Sequence, residues 1–191
     1  MREIWARIEG WLRQHAPDAL GVLYPPAPPE TIRAFETAVG AALPDDYRES
    51  LAIHDGEQGS PVLFSPWALT ATEWAVRSWR TMRSVERELA RDLPRRVPVV
   101  VVGPVAAVWW SESWIPFASN GAGYDLCLDL DPAPGGRRGQ VIEFRHDISK
   151  RIVRAPSFAD WLRANADDLE NGRYEIDEDG FPQRIEELPE D

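Results

Sequence analysis

The sequence contains very few of the residues on which disulfides, metal sites and phosphate-binding loops depend. Its 191 residues include one cysteine, three histidines and a single lysine, Lys150. The one cysteine, Cys127, excludes an internal disulfide and is typical of a reducing compartment. A P-loop is excluded because no GxxxxGK motif is present. The histidines lie on separate predicted elements, without an HExxH motif or a cysteine cluster, and we therefore expect neither a metal nor a cofactor.

Long apolar runs are also lacking. The most apolar stretch, residues 97–110, is too short to span a bilayer and is interrupted by Pro98, Gly103 and Pro104. Charged residues such as Arg2 interrupt the first apolar residues, a pattern unlike that of a secretion signal. We therefore predict a cytoplasmic protein with no membrane partner.

Positive charge is scarce and unevenly distributed. The chain has 21 Lys and Arg residues against 32 Asp and Glu residues, for a net charge of -11. Residues 167–191 alone contain eleven of the acidic residues and two of the basic ones. Arginine pairs such as Arg95–Arg96 and Arg137–Arg138 are isolated, and a basic face is required for nucleic-acid binding, so we expect no direct nucleic-acid contact. We predict one domain over residues 1–172 and an acidic C-terminal tail over residues 173–191.

Apolar periodicity predicts several helices, then a sheet, then one more helix. The helices are expected from Ile4 to His15, from Pro29 to Val39, after Pro44, from Thr70 to a point before Pro94, and from Ser157 to Gly172. Strands are expected at residues 124–131, 140–147 and 148–155, with a short one at 62–64. Thr70 and Glu73 form a capping-box pattern for the long helix. This order predicts a single-domain α+β fold, in which N-terminal helices and a C-terminal helix pack on an antiparallel sheet.

The stretch at residues 109–132 combines an aromatic cluster, a glycine-rich turn and an alternating strand. The two-residue period of a strand separates its side chains into two faces. The core face is predicted to carry Tyr124, Leu126, Leu128 and Leu130, and the other face Asp125, Cys127, Asp129 and Asp131. Pairing with the next strand so that the apolar faces coincide places Asp129 opposite Glu143, Cys127 opposite Arg145, and Asp125 opposite Asp147.

This acidic face has two interpretations that the sequence leaves open. Facing carboxylates repel one another, and Arg145 on the diagonal can supply the counter-charge within the sheet. Alternatively, the face binds arginine or lysine side chains of a basic partner. A catalytic pair is less favoured, because successive same-face residues lie about 7 Å apart and no histidine reaches this face.

Other candidate sites also have a structural interpretation. At least two of Trp109, Trp110 and Trp114 are expected in the core, although tryptophan is also a common interface anchor. The run from His54 to Glu57 is interpreted as a helix end and turn rather than a metal or acid–base site. Residues 175–186 match the spacing of a calcium-binding EF-hand loop, but Pro182 lies inside it, which favours a solvated acidic extension.

A set of short motifs occurs in an order typical of one known superfamily. The motifs are Phe35-Glu36, Leu43-Pro44-Asp45-Asp46-Tyr47, Asp55-Gly56, Trp114-Ile115-Pro116-Phe117-Ala118, Leu128-Asp129-Leu130-Asp131-Pro132, Gly139-Gln140-Val141-Ile142 and Ser157-Phe158-Ala159-Asp160-Trp161-Leu162. Together they resemble the SUKH superfamily, the group of Smi/Knr-type cell-wall-assembly regulators and their bacterial relatives. The resemblance covers roughly residues 5 to 172 and leaves the acidic tail outside.

The resemblance implies a protein-binding module without catalytic activity. Its bacterial members are largely viewed as immunity proteins that neutralise toxins, often nucleases, and its fungal members as cell-wall and signalling regulators. Our leading expectation is an immunity protein that blocks a basic toxin domain. The alternative is a cell-wall regulator or scaffold that acts through the acidic tail and the Trp-rich surface. An enzyme is least favoured, because no nucleophile–base or metal arrangement is present.

The partner-binding residues expected from this hypothesis fall into two groups. Asp125, Asp129, Asp131 and Glu143 on the sheet are expected to meet basic groups of the partner. The loops at Asp55–Glu57 and Asn120–Gly123 are expected to shape a cleft, with Trp110 nearby as an anchor. Nothing in the sequence indicates an oligomeric state.

Overall fold

The computed structural model describes residues 1–58, 63–92 and 99–185. The helices are α1 (Arg2–His15), α2 (Pro29–Val39), α3 (Asp45–Leu51), α4 (Thr72–Asp92) and α5 (Phe158–Glu170), with a 3-10 helix at Pro17–Val22. The strands are β1 (Ala68–Leu69), β2 (Val100–Val102), β3 (Trp114–Ser119), β4 (Tyr124–Asp129), β5 (Gln140–Arg145), β6 (Lys150–Ala155), β7 (Tyr174–Ile176) and β8 (Pro182–Arg184).

Six of the strands form one mixed sheet in the order β1-β3-β4-β5-β6-β2. All neighbours are antiparallel except β2, which runs parallel to β6. Strands β7 and β8 form a separate hairpin. The predicted α+β class is confirmed, and the parallel pair is an addition to the antiparallel sheet that the sequence predicts.

The helix boundaries follow from capping residues that the sequence shows directly. Pro29 occupies the first turn of α2, and Gly40 ends that helix in the left-handed conformation with φ of 72°. The Ser157 side chain accepts a hydrogen bond from the Asp160 backbone N–H at the start of α5. These two helices are confirmed where the sequence predicts them.

The start of α4 differs from the prediction. Its Thr72 backbone N–H and hydroxyl both donate to the Asp55 carboxylate, at 2.8 and 3.0 Å. The predicted cap, Thr70, instead continues the extended chain after β1, where its N–H donates to the Phe117 carbonyl. The capping box at Thr70 is therefore wrong, because the helix takes its cap from a residue distant in sequence.

Both faces of the sheet are covered. On one face, Phe158 and Trp161 of α5 contact Phe117 of β3. On the other face, Trp109 and Trp110 pack edge-on against Phe144 of β5. Strand β4 is consequently buried on both sides apart from its first residue. The prediction that at least two of the three tryptophans lie in the core is confirmed, since Trp110 and Trp114 are buried.

The predicted pairing of β4 with β5 is wrong by three residues. Asp129 lies opposite Gln140, and Asp125 lies opposite Phe144. The connecting loop begins one residue after Asp129, whose carbonyl accepts the Gly139 N–H at 2.7 Å, so the hairpin closes earlier than the alternation indicated. A shift by an odd number of residues moves every partner to the opposite face, and Glu143 therefore does not share a face with Asp129.

The first part of the acidic segment after residue 172 is folded. Tyr174 of β7 is buried, and its hydroxyl donates to Asn165 of α5 at 3.1 Å. The Asp177 carboxylate accepts backbone N–H groups from Asp179 and Phe181 and so closes the β7–β8 turn. The described part of this segment is thus a hairpin rather than a solvated extension, while the domain boundary at residue 172 stays a prediction.

Some predictions fall on residues outside the described ranges. Val62 and the pair Arg95–Arg96 lie there, as does Glu186 at the end of the EF-hand-like spacing. Within the described residues near the predicted 62–64 strand, Phe64 makes an isolated bridge to Trp67 instead of a strand.

Candidate functional site

A groove runs between α4 and the turn that joins β3 to β4, on the sheet face opposite α5. It consists of two adjoining clefts of about 450 and 390 Å³, which share Trp74, Ser119 and Gly121. We call it the α4 groove. One wall is formed by Trp74, Ser78 and Met82 and the other by Asn120, Gly121 and Gly123, with Tyr24 at one end and His146 at the other.

The α4 groove presents aromatic surface to solvent. Trp74, Ser78 and Met82 follow one another at a spacing of four residues, which aligns them along one side of the helix. The Trp74 side chain is 41% exposed, and Tyr24 across the first cleft is 37% exposed. Large exposed aromatic groups beside a concave surface are typical of a binding site.

A buried carboxyl group, Glu57, lies beneath the first cleft. It is 5% exposed, and its two oxygens accept the backbone N–H groups of Leu63 and Leu69 at 3.1 and 2.7 Å. Burial raises the pKa of Glu57 to about 8, although the two N–H groups oppose the shift. Glu57 therefore fixes the chain that enters β1 and also places a carboxyl group at the groove.

A second buried carboxyl group, Asp125, lies beneath the other cleft. It stands opposite Ser119 in the β3–β4 ladder and is 6% exposed. Burial raises the pKa of Asp125 to about 6, while a hydrogen bond from Ser119 and the nearby charge of His146 act in the opposite direction. The groove thus has a carboxyl group at each of its two clefts.

The rim between the clefts is shaped by the β3–β4 turn. The Asn120 side-chain oxygen accepts the N–H groups of Ala122 and Tyr124 at 2.9 and 3.1 Å. His146 Nδ1 lies 3.0 Å from the Gly123 carbonyl oxygen. Gly123 has φ of 88°, and a Cβ there would lie 2.4 Å from the same ring nitrogen, so glycine is required for this contact.

Half of the residues predicted to bind a partner lie at or next to the α4 groove. Glu57, Asn120 and Asp125 line it, and Asp55 supports it by capping α4. The two loops predicted to shape a cleft do line one, at Glu57 and at Asn120–Gly121. Their role in binding stays a prediction.

The other predicted residues lie elsewhere. Asp129 has no exposed surface and accepts a hydrogen bond from Gln140 at 3.0 Å. Trp110 is buried in the core, and Asp131 is exposed in the loop after β4. Glu143 is buried on the α5 side of the sheet.

The prediction of an exposed acidic face is wrong. The strand was expected to expose this face to solvent, but α4 and the segment containing Trp109 cover it. The expected counter-charge for Glu143 is present, since Arg145 and Arg154 both pair with it. That ion pair forms on the opposite side of the sheet from Asp125 and Asp129.

Sequence reasoning missed the groove residues on α4. Trp74 and Met82 lie in the long helix that the sequence predicts, but neither was predicted to bind a partner, and Trp74 is exposed. Their spacing of eight residues was the available signal, but it does not distinguish a core stripe from a groove wall. Tyr24 and His146 gave no signal, because the fold alone brings them to the groove.

The described residues show neither a metal-binding cluster nor a membrane-spanning helix. Within residues 1–58, 63–92 and 99–185, no group of three or more His, Cys, Asp or Glu residues is placed to hold a metal ion. None of the helices in these ranges is long and apolar enough to cross a bilayer. The chemistry of the α4 groove is thus that of aromatic surface and buried carboxyl groups.

The domain is thus an α+β fold with a concave groove between helix α4 and the sheet. The sequence model of the SMI1/KNR4 family (SUKH-1) matches residues 26–164. The chain therefore belongs to the SMI1/KNR4 family, and the resemblance to the SUKH superfamily is confirmed.

Curated relatives match the chain over nearly its whole length. The Schizosaccharomyces pombe "Cell wall biosynthesis/cell cycle regulator smi1" is 34% identical over 96% of this chain and 39% of its own length. The Neurospora crassa "Glucan synthesis regulatory protein" is 28% identical, with 96% and 41% covered. The Saccharomyces cerevisiae "Cell wall assembly regulator SMI1" is 25% identical, with 92% and 41% covered. The chain thus spans about two fifths of these relatives.

These relatives correct the leading functional expectation. All three are named as regulators of the cell wall or of glucan synthesis, and none is named as an immunity protein or an enzyme. The expectation of an immunity protein with a basic toxin as its partner is therefore wrong. The short motifs on which the resemblance rested indicate the superfamily, and membership of a superfamily does not by itself distinguish the two roles.

Proposed function

We propose that this domain is the non-catalytic, protein-binding part of a cytoplasmic regulator of cell-wall assembly, and that the α4 groove is its binding surface. The relatives that align over most of the chain carry names of regulators, which supports the regulatory role. The observation that carries the proposal is the groove itself, where Trp74 keeps 41% of its surface exposed beside a concave apolar wall.

The structural context explains why such a tryptophan is unusual. The described domain buries tryptophans such as Trp5 and Trp114 almost completely, so the fold has room for large rings in its core. A tryptophan that remains exposed at the centre of a groove is suited to pack against a partner side chain.

A chimaera in fission yeast tests this proposal. The segment of the S. pombe regulator that aligns with this chain is replaced by this chain, and cells are scored for β-glucan content and for resistance to glucanase. We expect the unaltered chimaera to restore both, and Trp74→Ala to lose both while its protein level stays the same. Ile148→Ala is the matched control, because Ile148 is 40% exposed and lies away from the groove.

The outcomes separate the two parts of the proposal. A folded, expressed chimaera without rescue would contradict the regulatory role of the domain. Full rescue by Trp74→Ala would retain the regulatory role but remove the α4 groove from it.

A further inference from the structure

The α4 groove contains acidic groups but lacks the basic groups that would neutralise them. Glu57 and Asp125 lie at its two clefts, and His146 is the only other titratable side chain besides Tyr24 among its described lining residues. None of these lining residues is arginine or lysine. At neutral pH the negative charge of the groove therefore comes mainly from Asp125, because burial raises the pKa of Glu57 to about 8 and keeps it largely protonated.

Keeping the ionised Asp125 carboxylate in this buried position costs free energy. A carboxylate that is 6% exposed loses most of its hydration. Within the described structure, only a hydrogen bond from Ser119 and the electrostatic interaction with His146 compensate for this loss. Among the described residues, no arginine or lysine pairs with Asp125. Glu143, in contrast, is equally buried but is paired with two arginines. A buried carboxylate left without a cation at the wall of a groove is positioned to receive one from a ligand.

At the other cleft, a second buried polar group also lacks a partner among the described residues. Thr70 lines the cleft beside Glu57, and its residue surface is 8% exposed. Its hydroxyl oxygen, Oγ1, is buried without a hydrogen-bond partner in the described structure. Buried hydroxyl groups are normally satisfied, so Thr70 adds an unpaired polar group beside Glu57 at the first cleft.

The aromatic wall favours a particular kind of cation. Trp74 and Tyr24 offer ring faces and edges on which the aliphatic part of a long side chain packs, and an aromatic face attracts a nearby cation. Arginine and lysine side chains combine an apolar stem with a charged end. A bare metal ion would use only the carboxylates and would leave the aromatic wall unused.

We infer that the α4 groove binds an extended segment of a partner protein in which an arginine or lysine side chain is flanked by apolar residues. The cation meets Asp125, and the apolar neighbours pack on Trp74 and Met82. This inference rests on the proposed function, which makes the groove a protein-binding surface, and it adds the chemistry of the bound segment. Charge complementarity with Asp125 selects this occupant over an acidic segment or a nucleic acid.

Selection from a random peptide library on the immobilised full chain tests the inference. We expect the enriched peptides to share an arginine or lysine next to apolar residues. For a selected arginine peptide, replacement of that arginine by citrulline keeps the shape but removes the charge. It is expected to weaken binding by about tenfold or more, as measured by calorimetry.

Two matched protein variants locate the contact. Asp125→Asn removes the charge with little change in shape, and we expect it to weaken the arginine peptide about tenfold and the citrulline peptide hardly at all. Asp131→Asn makes the same change at an exposed position away from the groove and is expected to retain full affinity. Thermal unfolding of both variants checks that the fold is intact, and Trp74→Leu provides a second groove variant that keeps Asp125.

The inference is overturned if the enriched peptides lack a basic residue, if none is enriched, or if Asp125→Asn binds the arginine peptide as tightly as the unaltered chain. Such a result leaves the chimaera experiment as an independent test of the proposed function. Conversely, charge-dependent peptide binding without rescue in yeast would support the groove chemistry while contradicting the regulatory role.

Discussion

Glu57 shows how a single buried residue links the fold to the candidate site. Its carboxyl group fixes the chain before β1 through two backbone N–H groups, and it also reaches the first cleft. Its pKa is raised from the ordinary value of 4.5 to about 8, with burial as the main cause. An acid whose pKa is raised on folding holds its proton more tightly in the folded state than in the unfolded state.

The sign of the resulting pH dependence follows from proton linkage. Below pH 4.5 both states hold the Glu57 proton, and its contribution to stability is fully present. Between about pH 4.5 and 8 the unfolded state releases the proton first, so the free energy of unfolding falls as pH rises. The slope from this one residue is at most about 1.4 kcal/mol per pH unit. Asp125 contributes with the same sign, because its pKa is raised to about 6.

We therefore predict that Glu57→Gln flattens the decline of stability between pH 5 and pH 8. At pH 5 the variant should be less stable by about 1–2 kcal/mol, because the amide NH₂ cannot accept one of the two N–H groups. At pH 8 the difference should be smaller, since the unaltered chain then bears a buried charge. Urea denaturation at both pH values measures this, with Glu30→Gln on the exposed side of α2 as control. Parallel pH profiles for the unaltered chain and Glu57→Gln would refute the assignment.

Arg151 is a buried charge of a different kind. It has no exposed surface, and its guanidinium donates to the carbonyls of Trp109, Arg145, Ile148 and Lys150. Burial lowers its pKa to about 10, so it remains protonated at neutral pH. These hydrogen bonds tie the β5–β6 turn to the segment that covers the sheet. The contrast with Asp125 is instructive, because Arg151 has many polar partners and Asp125 has few.

At the scale of elements, the start of α4 depends on Asp55 rather than on the residue that the sequence indicates. Asp55 accepts both the N–H and the hydroxyl of Thr72, whereas the Thr70 hydroxyl has no partner in the described structure. Loss of a helix cap costs about 0.5–2 kcal/mol, and removal of an unpaired buried hydroxyl costs little or is favourable.

These costs give a paired prediction. Asp55→Ala should lower the free energy of unfolding by about 1–2 kcal/mol, and Thr70→Val, which keeps the shape of the side chain, should leave it unchanged or raise it. Chemical denaturation of the two variants measures both. If Thr70→Val were the more destabilising change, the cap would belong to Thr70, as the sequence pattern indicated.

The helix boundaries and the β4–β5 pairing show how far the sequence predicts this fold and where the prediction fails. Local signals placed the helices well, because Pro29, Gly40 and Ser157 act within one turn of their own helix. The β4–β5 register depended on which faces are buried, and alternation between apolar and acidic residues indicated one buried face. Asp125 and Asp129 are buried instead, and the residues that cover Asp125, on α4 and at Trp109, come from positions distant in sequence. The candidate cleft was predictable in its loops but not in its α4 wall.

At the scale of the whole molecule, the groove and the acidic C-terminal segment lie on different sides of the sheet. The groove is on the α4 side, whereas the β7–β8 hairpin attaches to α5 through Tyr174 and the ion pair between Arg184 and Asp168. Among the described residues, the acidic side chains after residue 166 therefore do not line the groove. Binding at the groove and stability from the hairpin should be separable properties.

Truncation distinguishes a folded hairpin from an independent tail. A chain that ends at Gly172 loses Tyr174, which is 6% exposed, and the Arg184 ion pair, and it uncovers the side of α5 that carries Asn165. We expect the free energy of unfolding, measured by urea denaturation, to fall by about 2–3 kcal/mol, because the burial of one large side chain is lost. A chain that ends at Ile185 keeps the hairpin and should match the full chain in stability. Equal stability of both truncations would show that the domain ends at residue 172, as the charge distribution predicts.

In the chimaera, the chain ending at Ile185 should still rescue glucanase resistance, because the α4 groove is intact. Loss of rescue in that truncation alone would place part of the binding surface in residues 186–191.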